Sequence, residues 1–369
     1  MVSLASLSDQ LRPWRPRLRY CLRVTVAGLS AFAIARSLNF PLHGLWAVLT
    51  AIVVSQVSIG GSVRATIEYN VGTLGGALYA AAVGLVIPHQ TPVMQAVALA
   101  VAVAPMAAAA AVTPAFRVAP FSAVLVLLIG AELGESPVVS AMTRVAEVLI
   151  GGAVAVVVSL IVAPERAHAL GLGAAARILG QMAELLSKLL TPAARQAEKV
   201  QIALAQRNLG EAVTAFQALA EDAKRERLVS FARDPDATPL ARTLLRIRHD
   251  LVILSRATVE PFPDAVEGLL DPAVKAFSDE ATAFLRESAA QLARRGPPPA
   301  TTAMETALTA YNAAIAPIRS ESGTPGMTTA EVERVFTLGF ALEQLCRDLA
   351  DLGHRIEDHA SSAGARGAR

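Results

Sequence analysis

Residues 46–88 read WAVLTAIVVSQVSIGGSVRATIEYNVGTLGGALYAAAVGLVIP, an almost wholly apolar stretch that decides the fold class. The stretch is long enough for two crossings of about 30 Å of hydrocarbon, because a helix rises about 1.5 Å per residue. Within it, Arg64 and Glu68 lie four residues apart and therefore share one helical face. The stretch predicts two membrane helices, and it raises the question of whether the two charges mark a turn or a polar path.

The composition of the whole chain favours a membrane domain joined to a soluble one. The 369 residues are 53% hydrophobic and 17% charged, whereas soluble domains are about 25% charged. Seven charged residues fall between Ser37 and Ala163, and 50 fall among the 206 residues from Pro164 onward. The net charge of +2 and the lack of a dense basic run give no reason to expect a nucleic-acid partner.

Patterns typical of enzymes are missing from the sequence. There is no phosphate-binding loop, no metalloprotease or hydrolase motif, and no cluster of histidine and cysteine ligands. Cys21 and Cys346 lie in different predicted domains and form neither a disulfide framework nor a metal site. We therefore expect no enzymatic activity, no cofactor and no bound metal.

The apolar runs predict six transmembrane helices, separated by turns rich in proline and glycine. A cytoplasmic basic segment, residues 1–19, precedes them. The predicted spans are about 20–38, 44–60, 65–87, 92–112, 119–133 and 140–163. Basic residues cluster on the side of the N-terminus, so the positive-inside rule places the N-terminus and the C-terminal domain in the cytoplasm.

The six spans contain an internal repeat. A shift of 76 residues aligns 41–88 with 117–164 at 10 identities in 48, including Gly75–Gly76 with Gly151–Gly152. Because a unit of three spans reverses its direction when it is repeated, the sequence predicts a 3+3 inverted repeat in the transmembrane domain, residues 20–163. Inverted repeats are typical of secondary transporters.

The segment 164–358 predicts a cytoplasmic α-helical bundle, and 359–369 predicts a disordered tail. Helices are expected at about 165–192, 194–231, 239–258, 272–294, 299–318 and 328–358. The last of these helices has a heptad-like apolar seam, which indicates either a packing face within the bundle or an intermolecular coiled coil. The seam consists of Val335, Leu338, Leu342, Leu345, Leu349, Leu352 and Ile356.

Charges within membrane spans are costly and usually mark a functional path. Span six repeats the plan of span three, with Arg144 and Glu147 followed by two glycines. We expect the arginines to attract an anion and the glutamates to set their charge or carry a proton. The candidate path residues are Arg64, Glu68, Arg144, Glu147, Gln56, Glu132, Trp46 and Tyr79, and the helix-packing residues are Gly72, Gly75, Gly76, Gly151 and Gly152.

Structural roles compete with this interpretation. Arg64 and Glu68 could form an interfacial salt bridge that also fixes topology, although this explains Arg144 on the outer side poorly. Trp46, Tyr79 and Phe121 could stack an aromatic substrate, or each could anchor the domain at the membrane interface. The residues alone leave these alternatives open.

Residues 18–170 contain four recognisable motifs: W-x-V-L-T, Q-x-S-x-G with a basic residue after it, G-T-x-x-G-A, and R-x-x-E-x-x-x-G before a final proline. On these motifs the segment resembles the fusaric acid resistance (FUSC) family of aromatic acid exporters. It implies a six-span block and a cytoplasmic helical domain in a bacterial inner membrane. It also implies a distant likeness to the dimeric aluminium-activated malate channels of plants.

Many members of the family carry two such blocks, so the single block here implies a homodimer. The resulting hypothesis is a secondary, non-ATP transporter that exports small, aromatic carboxylic acids, with proton coupling as an expectation. An anion channel of the same architecture and a membrane-anchored scaffold whose helical domain binds partners are the alternatives. The expected partners are the lipid bilayer, a second copy, a small organic anion and a periplasmic adaptor protein.

Overall fold

The computed structural model describes residues 15–87, 91–162, 167–191, 199–230, 234–260, 262–319 and 327–367, and within these ranges it contains helices and no strands. The chain divides into two compact units. The first comprises Met1–Ala167 and Leu228–Ser230, and the second comprises His168–Arg227 and Phe231–Arg369. The predicted domain boundary at 163/164, and the two prolines Pro88 and Pro164 that the repeat aligns, lie outside the described residues.

The described part of the first unit contains six α-helices and two short 3₁₀ helices. The 3₁₀ helices, Pro41–Gly44 and Pro114–Phe116, precede the two shortest α-helices. The α-helices are α1 (Arg15–Ser37), α2 (Leu45–Val54), α3 (Ile59–Val86), α4 (Pro92–Val112), α5 (Ala119–Glu132) and α6 (Pro137–Ile161).

Local sequence signals start three of these helices. The hydroxyl oxygen of Ser58 accepts a hydrogen bond from Gly61 N at 2.9 Å and caps α3. Thr91 and Ser136 cap α4 and α6 in the same way, and each is followed by proline at the first helical position. Serine and threonine caps satisfy amide groups that lack a partner within the helix, and proline suits the first turn.

The second predicted span, 44–60, is not a full membrane helix. Helix α2 has 10 residues, which gives about 15 Å, or half of the hydrocarbon thickness. The chain leaves the helix at Ser55 and starts α3 at Ile59 because the Ser58 cap begins a new helix there. Arg64 and Glu68 consequently lie inside α3, and the turn expected between spans two and three, at SIGGS (58–62), is the capped start of that helix.

Six helices of the described chain are long and apolar enough to cross a membrane, but the set differs from the predicted one. Helix α2 is too short, and the sixth candidate is α7, Ala167–Leu190. The buried residues of α7 belong to the core of the second unit, where Leu179 and Leu186 are fully enclosed. Helix α7 therefore buries its apolar face against protein within that unit.

Helices α3 and α6 pack most extensively against each other and form the centre of the first unit. Helix α2 packs against α6, and α5 packs against α3. On the outside of these pairs, α1 packs on α2 and α6, and α4 packs on α5 and α3. The short helix α2 thus packs on the long helix α6, which comes later in the chain, and the short helix α5 packs on the long helix α3, which comes earlier.

The second unit is an all-helical bundle around one large apolar core. Besides α7 it contains α8 (Lys199–Ser230), α9 (Thr238–Ala257), α10 (Asp264–Arg294), α11 (Thr302–Arg319) and α12 (Thr329–Gly367). Every residue of the predicted seam on α12, from Val335 to Ile356, is at most 2% exposed within this core. The seam is therefore a packing face of the bundle and is not available as an intermolecular coiled coil.

Two of the predicted boundaries in this unit differ from the structure. Helix α10 begins at Asp264, before the predicted start at 272, and runs through Pro272. Helix α12 continues to Gly367 rather than ending near 358, so most of the segment predicted to be disordered is helical. The extension follows from burial, because His359 is only 3% exposed and is held in the bundle.

Candidate functional site

Arg144 lies on α6 beneath two aromatic rings. Its guanidinium carbon is 4.6 Å from the ring centroid of Trp46 and 6.0 Å from that of Phe121. The two rings meet edge to face at 6.2 Å, and Arg144 Nη2 donates to Tyr69 Oη at 3.4 Å. A cation over an aromatic face is stabilised by about 0.5–2 kcal/mol, more when it is desolvated.

The side chains of Arg144 and Glu147 on α6 are both buried, but several of their polar atoms lack hydrogen-bond partners. Arg144 is 3% exposed and Glu147 is 0% exposed. Among the described residues, Arg144 Nε, Arg144 Nη1 and both carboxyl oxygens of Glu147 have no hydrogen-bond partner, and no ion pair within 4 Å joins the two side chains. Since buried polar groups are nearly always hydrogen-bonded, the arrangement indicates a site for a ligand or for water.

A cavity of about 30 Å³ adjoins these two side chains. Its volume is about that of one water molecule. It is therefore too small for an aromatic acid in this conformation. The cavity is lined by Pro41, Leu42, Trp46, Leu125, Val126, Ile129, Leu133, Glu135, Ser140, Thr143, Arg144 and Glu147.

Arg64 and Glu68 do not join this site. Their closest charged atoms are 3.9 Å apart on α3, and their side chains are 40% and 46% exposed. Neither lines the cavity beside Arg144. They form a half-exposed pair of the kind that contributes little to stability in water, and they lie apart from the enclosed pair on α6.

The other predicted path residues have different surroundings. The side chains of Gln56 and Glu132 are exposed, and the backbone carbonyl of Gln56 accepts a hydrogen bond from Arg23. Tyr79 Oη donates to Val101 O at 3.3 Å. That carbonyl lies four residues before Pro105 on α4, which cannot donate to it, so Tyr79 satisfies the acceptor that the proline leaves open.

The predicted packing glycines lie where helices approach most closely. A Cβ on Gly76 would lie 2.2 Å from Ala119 O, and a Cβ on Gly151 would lie 2.3 Å from Ala47 O. Gly72 meets Ala115 O, Gly75 meets Phe116, and Gly152 meets Thr66. At Gly76 and Gly151, α3 and α6 therefore receive the backbones of α5 and α2 at distances that no side chain allows.

Arg23 is an important residue that the sequence analysis assigned only to the basic N-terminus. It is fully buried on α1, and its Nη1 donates to Gln56 O and Val57 O, each at 2.8 Å. These carbonyls follow the end of α2, where the backbone leaves the helix. A signal was present, because Arg23 falls within the predicted first span, 20–38, whereas the other N-terminal arginines precede it.

Tyr69 and Phe121 complete the surroundings of Arg144. Tyr69 follows Glu68 directly and was not singled out by the sequence. The repeat offset of 76 pairs Phe121 with Leu45, the neighbour of Trp46, which could have indicated that the two rings meet. Among the described residues, no group of three or more histidine, cysteine, aspartate or glutamate side chains could hold a metal ion.

The family comparison covers this part of the chain. Residues 29–158 match the sequence model of the family described as fusaric acid resistance protein-like. The membrane domain of this chain belongs to that family. The match includes the Arg144 site, and together with the apolar helices it indicates a multi-pass membrane protein. No curated protein matches the chain.

Proposed function

We propose that this FUSC protein is a secondary transporter that exports small, aromatic carboxylic acids across a bacterial inner membrane. The observation that carries the proposal is Arg144, a buried cation stacked on Trp46 whose Nε and Nη1 donate to no described protein group. A carboxylate fits two free guanidinium donors, and an aromatic ring fits the adjacent apolar and aromatic side chains.

Glu147 is the proposed proton carrier. An ionised carboxylate without a hydrogen-bond donor is costly in an apolar enclosure, and both oxygens of Glu147 lack one among the described residues. Exchange of a proton carried by Glu147 for an anion bound to Arg144 would couple the movement of protons across the membrane to the movement of anions. Glu68 is a poorer candidate, because its side chain is half exposed and lies outside the cavity.

The 3+3 inverted repeat is part of the proposal. It is supported by the reciprocal packing of α2 on α6 and of α5 on α3, and by the matched close approaches at Gly76 and Gly151. Repeats of this kind permit alternating access by rocking one half against the other. The water-sized cavity favours such a carrier over an open anion channel, because passage of a ring requires a second conformation.

The remaining assignments follow the same reasoning. The distribution of basic residues supports a cytoplasmic N-terminus and a cytoplasmic second unit. A second copy of the chain and a periplasmic adaptor protein are the proposed partners. The alternative function is a membrane-anchored scaffold, in which the second unit would bind partner proteins. A reporter fused after Arg369 would test the topology, since a fluorescent protein folds there only if the C-terminus is cytoplasmic.

Flux in proteoliposomes tests the transport proposal directly. Purified protein in vesicles with a pH gradient should move benzoate faster than protein-free vesicles do, and an organic cation of similar size should not be moved. Movement of no tested anion would overturn the proposal and favour the scaffold. Flux that persists at the same rate without a pH gradient would favour the channel.

A further inference from the structure

Polar side chains from two helices of the first unit meet the glycine pair of α6. A Cβ on Gly152 would lie 2.7 Å from Thr66 Cγ2 and 3.5 Å from Asn70 Oδ1. A Cβ on Gly151 would lie 2.9 Å from Thr50 Cβ. Thr50 belongs to α2, whereas Thr66 and Asn70 lie four residues apart on one face of α3. The glycines thus admit polar groups from both neighbouring helices to the same part of α6.

The oxygens of these side chains are buried without hydrogen bonds. Thr50 is 0% exposed and Thr66 is 8% exposed. Over the described residues, neither hydroxyl has a hydrogen-bond partner, and Asn70 Oδ1 has none either. A helical threonine can donate to the carbonyl four residues earlier, as Thr214 Oγ1 does to Gly210 O at 2.9 Å. Because buried polar groups are nearly always bonded, the three oxygens indicate a ligand.

Glu147 places a carboxyl group next to these oxygens. It lies four residues before Gly151 and therefore shares that face of α6. The oxygens of an ionised Glu147, like Asn70 Oδ1, can only accept hydrogen bonds, so a donor or a cation must complete them. Hard cations prefer oxygen ligands, and one carboxylate balances one positive charge. A small monovalent cation therefore fits this group, whereas an ionised Glu147 would repel an anion.

The site lies beside a break in the helical structure. Helix α2 has 10 residues, and the chain leaves the helical conformation before α3 begins. Thr50 lies about one turn before the end of α2. Discontinuous helices of this kind hold coupling ions in secondary transporters. The carbonyls of Gln56 and Val57 after α2 already accept hydrogen bonds from Arg23, so side-chain oxygens are left to hold an ion.

We propose that Thr50, Thr66 and Asn70, together with Glu147, bind a small monovalent cation, which is either Na⁺ or a hydrated proton. Along α6, Glu147 lies between Arg144 and the glycine pair. The cation and the substrate anion would therefore bind on either side of one carboxyl group. The role of this cation as the coupling ion rests on the proposed transport function, whereas its binding does not.

Thermal unfolding of the full chain in detergent micelles tests the binding without any transport. Replacing choline chloride with NaCl at constant ionic strength should raise the melting temperature of wild type, because a ligand of the folded state stabilises it. Thr66→Val keeps the side-chain shape but removes the hydroxyl, so half of the shift should require at least about tenfold more NaCl. Thr73→Val on the same helix is the matched control and should respond like wild type. The hydroxyl of Thr73 already accepts a hydrogen bond from Ser122 Oγ at 3.3 Å.

A pH titration in choline chloride distinguishes a proton from Na⁺. If the site holds a proton, NaCl has no effect, and the advantage of wild type over Thr66→Val in melting temperature should shrink as the pH rises. If Thr66→Val does not fold, Thr50→Val removes the hydroxyl of the other helix. Responses to NaCl and to pH that are equal in wild type and in these variants would overturn the proposal and leave buried water as the occupant. Cation binding without anion flux in proteoliposomes would contradict the transport function and leave this site intact.

Discussion

The guanidinium carbon of Arg144 lies 4.6 Å from the ring centroid of Trp46. The cation is therefore stabilised in part by an aromatic face, while two of its donor nitrogens remain without a described protein acceptor. A substrate carboxylate could bind these donors without first displacing a carboxylate of the protein. This distinguishes Arg144 from Arg64, which already lies beside Glu68 on α3.

Replacing Arg144 with glutamine should lower anion flux in proteoliposomes by at least about tenfold, because loss of a charged hydrogen bond costs about 1.5–3 kcal/mol. The exposed Arg117→Gln variant removes a membrane-domain arginine that does not line the cavity, and it should transport like wild type. Equal flux in wild type and Arg144→Gln, at equal expression, would remove Arg144 from the path.

Glu147→Gln should uncouple transport from the proton gradient. The variant keeps the shape of the site but cannot exchange a proton, so flux driven by a pH gradient should fall while exchange of labelled for unlabelled anion continues. Glu68→Gln should retain the response to the gradient, because Glu68 lies outside the cavity. The opposite result for the two variants would assign the proton to Glu68.

Arg23→Gln should destabilise the membrane domain by about 3 kcal/mol, because a hydrogen bond from a charged group contributes about 1.5–3 kcal/mol and the buried Arg23 makes two of them. Thermal unfolding in detergent measures the loss. Arg36→Gln, at an exposed position of the same helix, is the matched control and should leave the melting temperature nearly unchanged. Similar melting of the two variants would contradict the role assigned to Arg23.

The helices and the glycine faces follow from local sequence, whereas the Arg144 site does not. The cap at Ser58 and the glycine pairs are readable because helix starts and close approaches depend on residues near in sequence. The burial of Arg23 and the meeting of Trp46 with Phe121 depend on how α1, α2 and α5 are arranged in three dimensions. The symmetry of the repeat did not indicate that Arg64 lies half exposed on α3 and away from the cavity beside Arg144.

Gly76→Ala and Gly151→Ala should each destabilise the membrane domain by more than 1 kcal/mol. A Cβ at either position would lie within 2.3 Å of a backbone oxygen of a neighbouring helix, so helices must separate to admit it. Gly180→Ala on α7 meets nothing within 4 Å and should stabilise its helix by about 0.5–1 kcal/mol. Melting curves of the three variants in detergent test this contrast, and a neutral Gly76→Ala or Gly151→Ala would contradict the close packing.

His359 should limit the stability of the second unit in acid. It is 3% exposed, its ring centroid lies 5.2 Å from that of His168, and burial followed by the charge of His168 lowers its pKa to about 4. The unfolded chain takes up a proton near pH 6.5, whereas the folded chain does not until about pH 4. Stability should therefore be fully present above pH 6.5 and fall as the pH decreases toward 4, by about 3 kcal/mol in total.

His359→Gln removes the titrating group, so the free energy of unfolding should fall much less between pH 6.5 and pH 4, the acid limb of the stability curve. The exposed His354→Gln variant on the same helix is the control and should keep it. The measurement is denaturant or thermal unfolding of the full chain between pH 4 and 8. Protection of the α12 amides from hydrogen exchange reports the unfolding of the second unit. An acid limb that is equally steep in His359→Gln and in wild type would show that other groups cause it, because the proton taken up on unfolding would then not belong to His359.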